Sequence, residues 1–592
     1  MSSEPLAARG AATDPLTLEV IRNGLASVAD EMALIVMRSA YSPVVRDAMD
    51  YSTALCDRNG QVIAQGLTLA VQLGTFPTTM RFVLDEYGTS AQPGDVYVTN
   101  DPYGYGGQHL PDIYVIKPIF FGGELEGWAA TMAHHSDVGG ITPGSVAVHA
   151  TEIYQEGLRI PLAKLLAAGE EDTTLFRIIE ANTRQPVHVL GDVRAQIAAC
   201  RAGERGLVAL LERYGAATAR VYMDELQDLA ERLMRREIQA LPDGRHTFVD
   251  WIDGVGDAPE PLRIEVAVTI EGDELAIDFA GTAPQVDASV NCPVGMVFAA
   301  CYCAIRGIAA RDIPNAEGYM RPIRIDAPAG TIVNPVLPAA CGARGVVGYR
   351  VYDALMGALA GVAPDRVIAA GEGGPTLISF GGYDGGKPFV STEVIVGTWG
   401  ARAGKDGLEG VSNPLANLSN QPVELVESDL PLEVVRYQFV RDSGGAGRYR
   451  GGLAFLREFR VLAERAVLTI RSDRRTHPPY GLEGGQPGAP SQNTFTSEAG
   501  ERPIPGMPMA AIHAVSGDRY LHQSAGGGGH GSPLEREPQS VLDDVLDEKV
   551  SREAAHELYG VVLTDDGTAV DLQATRGLRE ARLPLAGPRS SE

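Results

Sequence analysis

The sequence predicts an α+β fold in which helices and mixed sheets form several layers. Three observations indicate this class. Amphipathic helical segments fill residues 173–240, and short apolar strands follow one another closely between residues 96 and 135. After residue 241 the pattern changes to alternating apolar and polar residues, interrupted by few helices. We therefore expect an N-terminal part with both element types and a β-rich C-terminal portion.

The first element is a helix that Asp14 can cap, with Pro15 at its first position and apolar residues at helical spacing up to Ile35. Asn59 and Gly60 predict the turn of a hairpin that follows it. Further helices are predicted around residues 67–88, 295–310 and 346–362, and further strands near 96–100, 113–121 and 127–135.

Changes in this pattern divide the chain into regions. The segment 241–244, which contains Pro and Gly, ends the helical stretch and marks a boundary, and a weaker boundary lies near residue 425. The predicted divisions are a mobile N-terminus at 1–13, an α+β domain with a His/Asp cluster at 14–240, a mixed β/α domain at 241–425, a β-rich region at 426–574 and a mobile tail at 575–592.

Composition excludes several classes of protein. The net charge is −26 over 592 residues, which argues against nucleic acid or an anionic membrane as the main partner. Hydrophobic residues at 44% and charged residues at 21% are typical of a folded chain and not of a disordered one. The six cysteines form no CxxC motif, and no signal peptide or bilayer-spanning stretch is visible. We expect reduced thiols and a cytoplasmic location.

Two motif matches carry little functional weight, and a third motif is absent. Residues 381–388 nearly match a phosphate-binding loop, but Pro388 replaces the Ser or Thr that would bind magnesium, so a turn between two strands is expected. Residues 526–531 match GxGxxG without the surrounding strand and helix, which indicates a flexible or close-packed loop. No GxSxG nucleophile motif exists. The sequence therefore predicts no nucleotide site in this chain.

One region is unusually rich in histidine. Four of the 11 His lie within residues 109–149, where an even spread would place fewer than one. His109 and Asp112 form an H-x-x-D pair at the start of a strand, and His134 and His135 end a later strand. Since successive strand side chains point to opposite faces, only one of these two can easily join the pair. Two imidazoles and one carboxylate suit zinc, manganese or iron(II).

Neighbouring groups are candidates for proton transfer or for orienting the ligands. We expect His135, Asp137 and Glu152 to serve as catalytic groups near the site. His149 and Glu152 could provide a further ligand source, or they could be a surface pair at helical spacing. The alternative for the whole cluster is a set of histidines that satisfy hydrogen bonds in a polar core.

Two arginines lie in a glycine-rich segment at residues 444–452. Arg448 and Arg450 stand beside flexible backbone, where they could bind an anionic intermediate or contact another subunit. A solvated hairpin is the alternative interpretation.

Taken together, the motifs give the chain a specific resemblance. It resembles the hydantoinase B/oxoprolinase family from about residue 14 to 563. The segments that carry the resemblance are SAYSPVVRDAMDYSTALCD, NDPYGYGGQHLPD, HHSDVGG, TEIYQEGLRIP, NTRQPVHVLGDVRAQIAAC, GGAGRYRGG, PPYGLEGGQPGAP and GGGGHGSPLEREPQSVLDDVLDEKVS. In the carboxylase relatives, an H-x-x-D pair and a later His hold a divalent metal. The resemblance implies the same role for His109, Asp112 and His134.

The resemblance also implies a partner and a reaction. ATP would bind a separate hydantoinase A-type subunit that phosphorylates a substrate carbonyl, so the chain would belong to a hetero-oligomer. This chain would then open a cyclic amide such as a hydantoin, a lactam or 5-oxoproline. An ATP-dependent ketone carboxylase subunit of the acetone or acetophenone type is the alternative. A non-catalytic scaffold for the ATPase partner is a second alternative.

Overall fold

The computed structural model describes residues 13–372 and 376–582. Within these residues, four sheets are packed with helices, and one pair of strands is parallel while the others are antiparallel. The predicted α+β class with mixed sheets is confirmed.

The N-terminal region is built on one antiparallel sheet of seven strands. Its strands are β1 (Tyr51–Asp57), β2 (Val62–Gln65), β3 (Val96–Thr99), β4 (Asp112–Phe121), β5 (Glu124–His134), β6 (Ala163–Ala167) and β7 (Glu170–Glu171). Their spatial order is β2-β1-β5-β4-β3-β6-β7. The predicted hairpin joins β1 to β2, and Gly60 takes the positive φ of 73° that its turn requires.

Seven helices surround this sheet. They are α1 (Pro15–Ser39), α2 (Pro43–Arg46), α3 (Ala70–Leu73), α4 (Phe76–Tyr87), α5 (Thr173–Asn182), α6 (Pro186–Tyr214) and α7 (Ala216–Gln239). Asp14 caps α1 as predicted, because its carboxylate accepts a hydrogen bond from the Thr17 amide at 2.9 Å. The single helix predicted at 67–88 is wrong. Pro77 has no amide N–H to continue a helix from α3, but it fits the first turn of a new one, so the chain breaks into α3 and α4.

Alternating side chains bury both faces of the sheet. Leu55 and Ala129 point towards α1 and α6 in the main hydrophobic core. Their neighbours Cys56 and Trp128 point to the opposite face, where Phe76 of α4 packs. The strands that end at the candidate site are therefore held from both sides, which fixes their register.

The middle region adds a four-stranded sheet and two helices. The elements are β8 (Gly244–Ile252), β9 (Leu262–Glu271), β10 (Glu274–Asp278), β11 (Ile323–Asp326), α8 (Val294–Ile308) and α9 (Gly345–Leu359). The sheet order is β11-β10-β9-β8. Residues on both sides of the predicted boundary at 241 belong to one hydrophobic core, so this boundary separates sheets but not cores.

The C-terminal region contains the remaining two sheets. Its elements are β12 (Thr376–Asp384), β13 (Lys387–Ile395), α10 (Val423–Asp429), β14 (Leu432–Phe439), β15 (Phe455–Val461), β16 (Arg465–Arg471), β17 (Gln492–Ser497), β18 (Gly500–Pro503), β19 (Ile512–Val515), β20 (Arg519–Gln523), α11 (Pro538–Leu546), α12 (Arg552–Glu557) and α13 (Leu572–Arg582). The sheet orders are β13-β12-β16-β19 and β14-β15-β20-β17-β18. Residues 381–388 form the β12–β13 hairpin, so the near match to a phosphate-binding loop is a turn, as predicted.

The predicted divisions and the structure differ at two further places. The predicted middle region, 241–425, includes the β12–β13 hairpin, yet β12 pairs with β16 of the C-terminal strands. The start of the predicted tail at residue 575 lies inside α13, and most of the predicted mobile ends lies outside the described residues. All six cysteines are free thiols. No helix in residues 13–372 or 376–582 is long and apolar enough to cross a membrane.

Three glycine-rich segments pack backbone against backbone in the C-terminal region. They are residues 444–452, 481–488 and 526–531. The Gly445 amide donates to the Gly527 carbonyl at 2.8 Å, and the Gly527 amide donates to the Gly452 carbonyl at 2.9 Å. A Cβ on Gly451 would lie 1.9 Å from the Gly527 carbonyl oxygen. Only glycine fits here, and the GxGxxG match is a close-packed loop.

Arg448 and Arg450, both in segment 444–452, have different environments. The Arg450 side chain is 2% exposed, and its guanidinium pairs with Glu409 at 2.8 Å and Asp544 at 3.4 Å. The Arg448 side chain is 56% exposed. The solvated-hairpin interpretation is therefore wrong for Arg450, which closes a buried ion-pair network, and its guanidinium is already engaged by carboxylates.

We expect Arg450→Ala to destabilise the protein strongly, because Glu409 loses its ion-pair partner and the buried Asp544 keeps only Arg536, at 2.7 Å, as a counter-charge. Removal of one partner of such a pair typically costs about 3–5 kcal/mol. Urea unfolding of the variant measures the loss. Arg448→Ala is the matched control, and its free energy of unfolding should stay close to that of the unsubstituted protein. Equal stability of both variants would contradict the structural role of Arg450.

Candidate metal centre

Strand register brings two of the predicted ligands together. Asp112, the first residue of β4, lies directly opposite His134, the last residue of β5. Directly opposed residues point to the same face of an antiparallel sheet. The Asp112 and His134 side chains therefore leave the sheet side by side, and the next residue, His135, points to the other face.

A tightly held loop delivers the third ligand, His109. The Asn100 side chain donates to the carbonyls of Leu110 and Leu158 at 2.6 and 2.9 Å, which pins the loop before β4. Gly106 takes a φ of 73°, and a Cβ there would lie 2.8 Å from Thr78 Cγ2. The glycine-rich sequence before His109 is thus a requirement of the turn that presents this side chain.

His109, Asp112 and His134 form a compact buried group. One ligand atom from each lies within 4.8 Å of the others. His109 Nε2 is 3.3 Å from Asp112 Oδ2, and the two imidazole centroids are 4.9 Å apart. Three buried atoms of the group lack a hydrogen-bond partner: His109 Nε2, Asp112 Oδ1 and His134 Nδ1. Buried polar atoms are normally paired, so this donor set fits a divalent cation.

The protonation states also suit a metal. Burial, reinforced by the positive charge of Arg344, lowers the pKa of His109 to about 4. Burial, with His109 as the next contribution, lowers the pKa of His134 well below its usual value. For Asp112, burial opposes ionisation, but His109 and Arg344 favour the carboxylate more strongly and hold its pKa below the usual range. At neutral pH the group therefore offers two lone pairs and an anionic oxygen, the forms that bind metal.

A second layer orients His109. Its Nδ1 lies 3.1 Å from the Gly342 carbonyl, and because a carbonyl only accepts, Nδ1 carries the proton and Nε2 is left as the ligand atom. Glu156 holds the same peptide segment, accepting hydrogen bonds from the Gly342 and Cys341 amides at 2.6 and 3.0 Å. Burial raises the pKa of Glu156 to about 7.

The group faces a small cavity with further charged residues. The cavity is lined by His109, His134, Asp50, Gln72, Arg344, Tyr349 and Arg471, together with apolar side chains. The Arg344 guanidinium donates to Asp112 and, at 3.0 Å, to Gln108. Burial and then the charge of Arg344 lower the pKa of Arg471 to about 10. Burial, followed by the charge of Asp112, raises the pKa of Asp50 to about 7.

Two predicted catalytic groups lie beside the ligands but away from this cavity. His135 is buried on the opposite face of the sheet, where its Nε2 lies 3.1 Å from Gln196 Oε1. The Asp137 carboxylate is held by the Arg184 side chain at 2.8 Å and by the Gly144 amide at 3.1 Å. Both side chains stabilise the segment that follows β5, and neither lines the cavity.

The remaining predicted residues are also separate from the cavity. Glu152 is exposed and caps the short helical turn that follows it, and His149 is half-buried outside the group. Arg448 and Arg450 lie in the glycine-rich segment 444–452 and do not line the cavity. The predicted ligands are thus brought together, whereas the predicted catalytic and substrate-binding residues are not.

Sequence reasoning missed Asp50, Arg344 and Arg471, and it did not select Glu156. Glu156 follows shortly after the His-rich window and could have been favoured over Glu152 as the residue followed by a glycine-containing turn. The other three come from distant segments, at 232 residues of separation for Arg344 and Asp112. No local pattern marks them, because only the tertiary packing of β1, α9 and β16 places them together.

Comparison with known proteins agrees with this architecture. The chain matches the hydantoinase B/oxoprolinase family over residues 14–533. It is 36% identical to the B subunit of a putative D-/L-hydantoinase from Pseudomonas sp. strain NS671, over 96% of this chain and 98% of that protein. The crystal structure of the ATP-dependent caprolactamase from Pseudomonas jessenii superposes with a TM-score of 0.89 at 32% identity, covering 96% of this chain and all of that chain.

A more distant structure shares only the fold. Nucleotide-free acetone carboxylase superposes with a TM-score of 0.88 at 20% identity, covering 96% of this chain and 83% of that chain. The match over most of the sequence, and the relative that is 36% identical over nearly its whole length, are decisive for the family. This chain belongs to the hydantoinase B/oxoprolinase family.

Proposed function

We propose that this chain is the ring-opening subunit of an ATP-dependent cyclic amide hydrolase. The observation that carries the proposal is the buried His109–Asp112–His134 group, whose three unpaired atoms suit a divalent metal. Relatives named as a hydantoinase component and as an ATP-dependent caprolactamase support a cyclic amide as the substrate class.

The three side chains would hold zinc, manganese or iron(II). A bound divalent ion of this kind polarises a carbonyl group and lowers the pKa of a water molecule to about 7. The residues around it fix the geometry: Gly342 and Glu156 orient His109, and Arg344 holds Asp112. In the reaction, water adds to the carbonyl carbon and the carbon–nitrogen bond breaks, which leaves an amine and a carboxylate.

ATP would bind a partner subunit of the hydantoinase A type. The glycine-rich segment at 381–388 forms a hairpin turn, and the described residues contain no other nucleotide motif. The hydantoinase relative is itself named as one component of a multi-subunit enzyme, which supports a partner for this chain. Phosphorylation of the amide oxygen by that partner makes the carbonyl carbon more electrophilic. Water then adds to this carbon, the carbon–nitrogen bond breaks to give an amine and an acyl phosphate, and a second water releases the phosphate and leaves the carboxylate.

Arg344 and Arg471 supply positive charge where the substrate becomes negative. Both guanidinium groups line the cavity with the two histidines, and Arg344 also donates to Asp112. Two arginines beside the predicted ligands suit an anionic oxygen on the reacting substrate, because a guanidinium donates charge-assisted hydrogen bonds to such an oxygen.

Proton transfer is assigned to Asp50. Asp50 lines the cavity, whereas Asp137 and Glu152 do not. Gln72 Nε2 donates to its Oδ1 at 2.6 Å and fixes the carboxylate plane. The leaving amide nitrogen needs a proton, and Asp50 is placed to deliver one to it.

We expect His134→Ala to lose bound metal and product formation together. Loss of a ligand should exceed the about 10–100-fold effect of losing a residue that merely orients one. Elemental analysis of the purified complex measures the metal, and separate assays measure phosphate release and product. His149→Ala, from the same segment but outside the group, should keep both. Full metal content in His134→Ala would refute the ligand assignment.

Arg471→Met should retain the metal but lower product formation by about 100-fold, because one charge that stabilises the anionic oxygen is gone. Arg471→Lys should recover part of the activity. The exposed Arg465 of the same strand provides the control variant Arg465→Met, which should behave as the unsubstituted protein. Equal activity of Arg471→Met and Arg465→Met would remove Arg471 from the reaction.

Hydrolysis and carboxylation predict different products from the reconstituted two-subunit complex. We expect ATP and a cyclic amide to yield a ring-opened amino acid that carries solvent oxygen in its carboxylate when the reaction runs in ¹⁸O-water. Omission of bicarbonate should have no effect. Product that forms only with bicarbonate and incorporates its carbon would establish the carboxylase alternative. The isolated chain should release no phosphate from ATP.

A further inference from the structure

The cavity beside the His109–Asp112–His134 group is too small for the proposed substrate. Its volume is only about 30 Å³. That is space for one or two water molecules, whereas a cyclic amide has at least five ring atoms. Much of the wall is apolar and rigid, since Met296 lies in α8 and Leu377 in β12. Some part of the wall must move before a substrate can enter.

A larger groove lies directly outside this cavity. Its volume is about 680 Å³, within the range of pockets that bind small molecules. Trp399 and Tyr437 provide aromatic surface, and Asn417 and Asn420 provide amide groups. The Asn420 amide donates to the Tyr437 hydroxyl, which fixes this polar corner of the groove. Aromatic surface beside amide groups suits a small ring that carries an amide.

Leu418 separates the two spaces. Among the described residues it is the only one that lines both the cavity and the groove. It is 8% exposed and lies in a segment without regular structure. Leu418 is thus the residue that the cavity beside the predicted ligands and the outer groove share.

The backbone on both sides of Asn417 and Leu418 is held by hydrogen bonds, including one from the Ala416 amide to the Asn413 carbonyl at 2.8 Å. The Val71 amide donates to the Leu415 carbonyl at 2.8 Å, and the Ser419 amide donates to the Ala48 carbonyl at 3.2 Å. Within the described chain, the amides of Asn417 and Leu418 donate no hydrogen bond. A change of the Leu418 rotamer, or a small shift of this tip, breaks no backbone hydrogen bond.

We propose that the outer groove receives the cyclic amide and that Leu418 is the barrier it passes to reach the metal centre. The size of this side chain then sets which rings enter. The identity of the ligand rests on the proposed function, whereas the route itself rests on the geometry alone. Leu418 touches no reacting atom in this scheme and is a specificity-determining residue.

Chemical modification tests the route without metal, partner or activity. Diethyl pyrocarbonate reacts with unprotonated imidazole and is too large for the closed cavity. In the full-length, metal-stripped chain, we expect Leu418→Ala to speed the modification of His109 and His134 severalfold, and Leu418→Phe to slow it, as measured by peptide mass spectrometry. Exposed His513 serves as the internal standard, because its rate should be the same in all variants.

Leu408→Ala is the matched control, since Leu408 lines the groove but not the cavity. Its rates should equal those of the unsubstituted chain. If both Leu418 variants also show those rates, the ligands are reached by another path and the proposal is wrong. Thermal unfolding of each variant identifies any increase that comes from loss of structure.

A series of cyclic amides of increasing ring size separates this inference from the proposed function. In the active complex, Leu418→Ala should raise kcat/KM for larger rings more than for small ones, and Leu418→Phe should do the reverse. If the Leu418 variants change the rate of histidine modification but no form of the complex turns over an amide, the route is established and the proposed reaction is refuted. If the modification rates stay unchanged while amides are turned over normally, the proposed reaction holds and the route through Leu418 is refuted.

Discussion

The antiparallel pairing of β4 with β5 is the constraint on which the candidate centre depends. It sets Asp112 opposite His134 at the end of the sheet, and a shift by one residue would exchange His134 for His135. Helices cover both faces of these strands, so such a shift would turn apolar side chains out of two cores at once. The position of two ligands is therefore secured by hydrophobic packing over the whole length of the strands.

Burial then determines the chemistry of the ligands. In water, a histidine is partly protonated near neutral pH and competes poorly for a cation. Here the enclosed position disfavours the charged imidazoles, and Arg344 keeps Asp112 ionised despite its burial. The interior thus keeps the three groups in the protonation states that suit a cation, and it leaves three of their polar atoms without a hydrogen-bond partner. Such unpaired atoms are more informative about function than the composition of the site, because packing alone gives no reason to retain them.

Much of the fold and the grouping of His109, Asp112 and His134 could be predicted from the sequence, whereas the residues around this group could not. Periodicity located α1, the β1–β2 hairpin and β4, and the alternation of strand side chains correctly separated His134 from His135. The position of β12 beside β16 and the approach of Arg344 to Asp112 are long-range contacts without a local signal. The positive charge of Arg450 alone predicted a contact with an anionic intermediate or another subunit. An arginine beside glycines can equally be buried and pair with carboxylates of its own chain, as Arg450 does with Glu409.

The position of Arg471 has a consequence for the order in which the protein matures on the ribosome. This residue is the last of β16, yet it lines the same cavity as His109 and His134. While the chain is synthesised, the His109–Asp112–His134 group leaves the exit tunnel more than 300 residues before the wall that encloses it is complete. Enclosure of the group is therefore a late step of synthesis, and until β16 has been made the group remains in contact with the surrounding solution.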